Sequence, residues 1–195
     1  MKRNSYIRSV VFVAVLLSLG PNGFSRNLSG ITPGRTGRSQ DVLAQAETMI
    51  QQGRQQGLDF LNSKDERSKK ASKKNLEDAE KLVKKTLKGQ PNCEKCYELL
   101  TNTNFFQTYF GFSKDYDETI KVSTEGLSKF PSNGRLAYLR GYAYYNSGQY
   151  SEANKSLKAA TASVDPQTLT QINQVLQMSQ QAFLTNWNRQ ANFYQ

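Results

Sequence analysis

Residues 135–166 read RLAYLRGYAYYNSGQYSEANKSLKAATASVDP and fall into two helical segments that part at Ser147-Gly148-Gln149. In the first segment Leu136, Leu139 and Ala143 recur at helical spacing, with the small residues Ala137 and Gly141 beside them. Tyr150, Ala153, Leu157 and Ala160 do the same in the second. Gly148 can take the left-handed conformation that ends one helix, and Asp165-Pro166 stops the other. Gly141, Ala153 and Ala160 give up packing area but let two helix backbones come close.

This helix pair resembles a tetratricopeptide repeat, whose pattern is Trp-x-x-Leu-Gly-x-x-Tyr, then Ala-x-x-x-Phe, then Pro. Gly141, Tyr144, Gly148, Tyr150, Ala153, Leu157, Ala160 and Pro166 carry the match. Ala137 and Arg140 stand where the family prefers Trp and Leu, and Pro166 falls one place late. A single pair cannot bury its apolar face alone, so neighbours are required. Tyr116-Asp-Glu-Thr-Ile precedes Tyr150-Ser-Glu-Ala-Asn by 34 residues, the family period. Leu76-Glu-Asp-Ala79 runs to Pro91 with the spacing that separates Thr119 from Pro131. The expected fold is therefore all-α, a solenoid of about three helix pairs at 41–91, 92–131 and 132–166, closed by a capping helix at 167–186. Between Pro91 and Pro131 the distance is 40 residues rather than 34, which predicts a first helix about two turns longer than usual.

Composition narrows the chemistry. Hydrophobic residues make up 37% of 195, low for a packed α/β enzyme. There is no histidine, which removes Ser-His and Cys-His nucleophiles and histidine metal sites together. No glycine-rich phosphate loop occurs. The sequence predicts no enzyme, no cofactor, no metal, no small-molecule substrate and no nucleic-acid partner.

The formal charge is +10, and residues 1–25 supply three of these with Lys2, Arg3 and Arg8, leaving +7 without them. Those basic residues precede an apolar run, Val10–Leu19, too short to anchor in a bilayer, so 1–25 reads as a secretory signal. Gly23-Phe24-Ser25 favours cleavage after Ser25 and a periplasmic or envelope-associated protein. Residues 26–40 mix Gly, Ser, Pro and Arg without periodicity and read as a flexible linker. Asp41 then offers a cap for a helix carrying Leu43, Ala46, Ile50, Leu58 and Leu61, with Gly53 and Gly57 marking a close helix approach.

Residues 64–88 hold ten Lys/Arg against five Asp/Glu. Lys69, Lys70, Lys73 and Lys74 could bind an acidic polymer or an anionic membrane surface, or this run could be the solvated start of the helix that follows. Ser63 with Glu66 reads as a capping box, and Glu77-Lys81 and Glu80-Lys84 as i,i+4 pairs. Cys93-Glu-Lys-Cys96 is too small a ligand set for zinc and lacks a thioredoxin-like βαβ setting. A local disulfide or a capping turn is the preferred reading. Phe105, Phe106, Tyr109, Phe110 and Phe112 suit core packing or a membrane-inserting cluster. The capping helix shows an apolar stripe of Leu169, Ile172, Leu176, Ala182 and Phe183, and 187–195 forms an aromatic tail with Trp187, Phe193 and Tyr194.

Tetratricopeptide families generally hold partner segments on a concave face made by the first helix of each pair. The resemblance places Arg135, Tyr138, Tyr142 and Tyr145 there in the last repeat, and Lys95, Glu98 and Asn102 in the one before. Tyr142 stands where carboxylate-clamping members carry Asn, so the implied partner is an apolar or aromatic protein segment oriented by Arg135. The expected function is a non-catalytic interaction scaffold of the cell envelope. N-terminal sequencing of the protein from an envelope fraction should begin near Arg26, and Met1 still in place would mean a retained anchor instead.

Overall fold

A computed structural model of the chain describes residues 36–164 and 166–191, with side-chain surroundings described for 40–164 and 166–187. The proposed signal, most of the linker, and Phe193 and Tyr194 lie outside the described residues. Among the described residues the chain forms seven α-helices, one short 3-10 turn and no strand. They are α1 (Thr36–Ser63), α2 (Glu66–Gly89), α3 (Glu94–Tyr109), α4 (Asp117–Lys129), α5 (Gly134–Asn146), α6 (Tyr150–Ala160) and α7 (Pro166–Ala191).

Each helix packs on the next, so α1 with α2, α3 with α4 and α5 with α6 make antiparallel-type pairs stacked in chain order. The first helices also touch across pairs, α1 with α3 and α3 with α5, whereas the second helices barely meet. That asymmetry puts α1, α3 and α5 in a closely packed inner row and α2, α4 and α6 in a wider outer row. The arrangement is an all-α, solenoid-like stack, as the periodicity predicts.

Local chemistry accounts for the ends of the helices. Asp65 caps α2 by accepting from Arg67 N and Ser68 N, and Asn133 caps α5 by accepting from Leu136 N. The Ser63–Glu66 capping box does not form: Ser63 is the last residue of α1, and its hydroxyl donates to Asp59 O. Asp41 does not start the first helix either, because α1 already runs from Thr36. Residues 66–74 are helical, so the lysine-rich run is the exposed beginning of α2. Of the expected pairs, Lys84 meets Glu80, but Lys81 turns to Asp78 at 3.7 Å and Glu77 to Lys73 at 3.8 Å. These exposed contacts stabilise the helix by only a few tenths of a kcal/mol each.

Glycine sets the distance between packed helices, both within a pair and between pairs. A Cβ added at Gly53 would lie 2.9 Å from Leu76 Cγ, and one at Gly57 would collide with the Phe110 ring. The Gly53 carbonyl accepts from the buried Ser72 hydroxyl at 2.7 Å, joining α1 to α2 at the point of closest approach. Ala46, Ile50 and Leu58 from α1 and Leu76, Ala79 and Val83 from α2 fill the core between them, with Leu43, Leu61 and Leu87 at its edge.

The six extra residues of the second pair do not become two helical turns. Helix α3 has 16 residues against 13 in α5, and the rest forms the connection 110–116, turned by Gly111 at φ 76°. Phe112 N and Ser113 N both donate to Gln107 O, folding the connection back so that Phe110 fills the space Gly57 leaves. The aromatic cluster thus packs inward, with Phe105, Phe106 and Phe110 in the core. Arg140 lies half-buried, its Nε donating to Ser156 Oγ at 3.1 Å.

Helix α7 runs on through Trp187, so the proposed tail begins as helix. Its buried line is Ile172, Val175 and Ser179, while Leu176 is only half-buried and Phe183 is exposed. In α5, a Cβ at Gly141 would lie 2.7 Å from Leu157 Cγ and 3.1 Å from the Leu157 backbone nitrogen. Gly141→Ala should force α5 and α6 apart and cost about 1–3 kcal/mol in a denaturant titration.

Candidate functional site

Lys95 and Arg135 are each the second residue of their inner helices, α3 and α5. Lys95 Nζ bridges to Glu47 Oε1 of α1 at 3.1 Å, with both side chains about one-third exposed. Glu98 accepts from Asn133 Nδ2 at 2.8 Å, which joins the inner side of α3 to the cap of α5. Burial lowers the pKa of the Arg54 guanidinium, and the charge of Arg135 lowers it further. Arginines of the first and third pairs therefore feel each other's charge, and arginine stays protonated regardless.

The tyrosines expected to face a partner do something else. Tyr138 and Tyr142 are each 1% exposed. Their rings stack on one another at 6.0 Å, and Tyr142 stacks on Phe105 of α3 at 5.1 Å. A ring with no surface cannot be offered to a partner, so these two belong to the core. Tyr145 is half-buried, stacked on Tyr142 at 6.4 Å and tilted against Tyr150 at 5.7 Å. Asn102 is also buried, at 4% exposure. Of the proposed contact residues, Lys95, Glu98, Arg135 and Tyr145 are half-buried and keep some surface.

Burying these side chains leaves polar atoms stranded. Asn102 Oδ1 and Tyr138 Oη are buried with no hydrogen-bond partner. Such atoms are uncommon in native folds, because each forfeits its hydration without replacement. Sequence reasoning had no signal for them, since it counted both residues as surface.

The other candidates divide clearly. Lys69 pairs with Glu66 at 3.1 Å, Lys73 with Glu77 and Lys74 with Asp78 at 2.9 Å, so three of the four lysines have local carboxylate partners. A polar cleft of about 360 Å³ opens between α2, α3 and the 110–116 connection, with Glu77, Glu80, Asn104, Gln107, Asp115 and Glu118 on its walls. Its glutamates are engaged by Lys73, Lys84 and Lys121. Cys93 and Cys96 are joined by a disulfide across the first turn of α3. At the far end, α7 exposes Phe183, Leu184 and Trp187, the last at 63%. Among the described residues no cluster of His, Cys, Asp or Glu could hold a metal ion, and no helix is long and apolar enough to cross a membrane.

No family model matches the chain, and no curated protein matches it. The tyrosine ladder makes its own forecast. Burial raises the pKa of Tyr138 and of Tyr142 above the ordinary 10.0. Below pH about 10 both folded and unfolded chains keep these phenols neutral; above it only the unfolded chain ionises, so stability falls as pH rises. Melting temperature should drop steeply between pH 9 and 12, with tyrosinate absorbance appearing together with loss of helix. The Tyr138→Ala, Tyr142→Ala double variant should lose at least about 3 kcal/mol of stability at neutral pH, by the usual cost of emptying an aromatic site.

Proposed function

We propose that the chain is an exported interaction scaffold of the cell envelope that holds a segment of a partner protein along the inner faces of α1, α3 and α5. In this reading the helix pairs are tetratricopeptide-like repeats, and binding rather than catalysis is their work. The observation that supports it most is that the inner helices α3 and α5 keep Lys95, Arg135 and Tyr145 partly exposed while the Tyr138 and Tyr142 rings are packed away.

The partner's chemistry follows from what remains at the surface. With Tyr138 and Tyr142 inside, the accessible inner side chains include Lys95, Arg135 and Tyr145. The charge of Arg135 reaches Arg54 of the first pair. A segment that carries an acidic group beside an apolar one matches this set, the carboxylate taking an arginine and the apolar part lying on Tyr145. The lysine-rich start of α2 is the weaker site, because its cations are largely matched by their own helix.

The test is capture of partners from a native envelope extract on the immobilised full chain. Lys95→Ala with Arg135→Ala should lower capture at least tenfold, the loss of roughly 2 kcal/mol typical of a central arginine, while helix content and melting stay near wild type. Unchanged capture by that variant overturns the groove. If capture instead disappears when Lys69, Lys70, Lys73 and Lys74 are changed to Gln, the binding site is the lysine segment.

A further inference from the structure

The first turn of α3 has a sulfur-free counterpart one repeat later. There Asn133 caps α5, its Oδ1 accepting the Leu136 N–H at 2.8 Å, and Leu136 is fully buried. Cys93 holds the place of Asn133: it caps α3, and its Sγ accepts the Cys96 N–H at 3.1 Å. Cys96 holds the place of Leu136 and is equally buried. Asparagine is among the best capping residues, whereas sulfur is a weak acceptor. The turn therefore forms without a disulfide, and neither the cap nor the core position calls for sulfur. Nor is the bond an effective staple, since the entropy a cross-link removes from the unfolded chain shrinks with the loop it closes, here a separation of only three residues.

We propose that Cys93–Cys96 is a thiol–disulfide exchange site that accepts electrons from a pair of cysteine thiols on another protein. Access is one-sided. Cys93 is partly exposed at the helix end, while Cys96 is 0% exposed, so an incoming thiolate can reach only the Cys93 sulfur. The turn in front of it, Pro91-Asn92, is exposed and tied down by Lys129, whose Nζ donates to Pro91 O at 2.9 Å and to Tyr97 Oη at 2.8 Å. Cys93 thus sits beside a rigid, solvent-facing lip. Its position at a helix N-terminus, with the Cys96 N–H directed at its sulfur, favours the thiolate form.

The exchange balances without any further group. A thiolate of the partner attacks Cys93 Sγ, the Cys93–Cys96 bond breaks, and the Cys96 sulfur leaves with the bonding pair and takes up a proton. The partner's second thiolate then attacks the partner sulfur of the mixed disulfide, and Cys93 leaves as a thiolate under the helix end. The partner's dithiol has lost two electrons and two protons and become a disulfide, and Cys93–Cys96 has become a dithiol. A disulfide of another protein, or a low-molecular-weight one, restores it by the reverse steps. Stabilisation of the departing Cys93 thiolate makes the oxidised site a ready electron acceptor.

The oxidised full chain is mixed at neutral pH with a synthetic peptide carrying two reduced cysteines, and peptide oxidation is followed by alkylation and mass spectrometry. One peptide dithiol should be consumed per chain, at least tenfold faster by the folded chain than by the same chain unfolded in urea. Equal or slower oxidation by the folded chain overturns the proposal. In Cys96→Ser, the Cys93 thiolate should attack a single-cysteine peptide supplied in excess as its symmetric disulfide, releasing one peptide thiol and keeping the other as a lasting mixed disulfide, with an alkylation midpoint below the ordinary thiol value of about 8.5. In Cys93→Ser, the Cys96 thiol should stay unreactive until the chain is unfolded. Trapping through Cys96 instead, or an ordinary midpoint for Cys93, counts against it. Should either variant fail to fold by circular dichroism, the wild-type comparison decides alone.

Discussion

The stacking of Phe105 on Tyr142 is the contact on which the stack depends. It joins the inner helices of two successive pairs at 5.1 Å, and Phe105 also meets Tyr109 and Tyr116 while Tyr142 meets Tyr138 and Tyr145. A solenoid has no central core, so each pair is stable only through its interface with the next. Concentrating large rings at one such interface gives it the apolar area that small residues elsewhere surrender. The consequence reaches the inner row, whose buried phenols Tyr138 and Tyr142 cannot also be ligands.

The same economy explains the 110–116 connection. Gly57 opens a space in α1 that no residue of its own pair fills, and Phe110 enters it from the end of α3. The fold-back that delivers Phe110 rests on Gln107 O, which accepts from Phe112 and Ser113. An insertion that looked like extra helix is a plug, and it binds the first and second pairs together. Two closely related tasks, spacing helices and sealing the gap between pairs, are thus met by a glycine and an aromatic that lie 53 positions apart.

Charge has a humbler place. The basic run of residues 64–88 lies on an exposed helix, and five of its ten cations pair with carboxylates of that same helix, Lys69 with Glu66 and Lys74 with Asp78 among them. The inner row is different, because Lys95 is paired with Glu47 from another helix and Arg54 feels Arg135 from a third. Charges brought together across elements are held by the fold, whereas charges matched along one helix are held by sequence spacing alone.

Helix formation and turn placement were readable from residues 135–166 outward because both depend on groups three or four positions apart. The 34-residue spacing of Tyr116 and Tyr150, Gly148 after the helix of Gly141, and the Leu76, Ala79, Val83 stripe all carry local information, and the structure places each as periodicity implies. Errors at Asp41, Ser63 and the two-turn insertion concern helix ends, where several nearby residues compete for one cap. Burial is another matter. Tyr138 and Tyr142 sit at spacings that mark a helix face, but whether that face meets solvent or Phe105 depends on a helix some 40 residues earlier. Likewise the one-sided access to Cys93 and Cys96 is invisible in CEKC, since the surface around a side chain is set by neighbours distant in the chain. By itself the sequence determined the helices and their pairing; tertiary packing alone decided which side chains the pairs keep for themselves and which they leave for a partner.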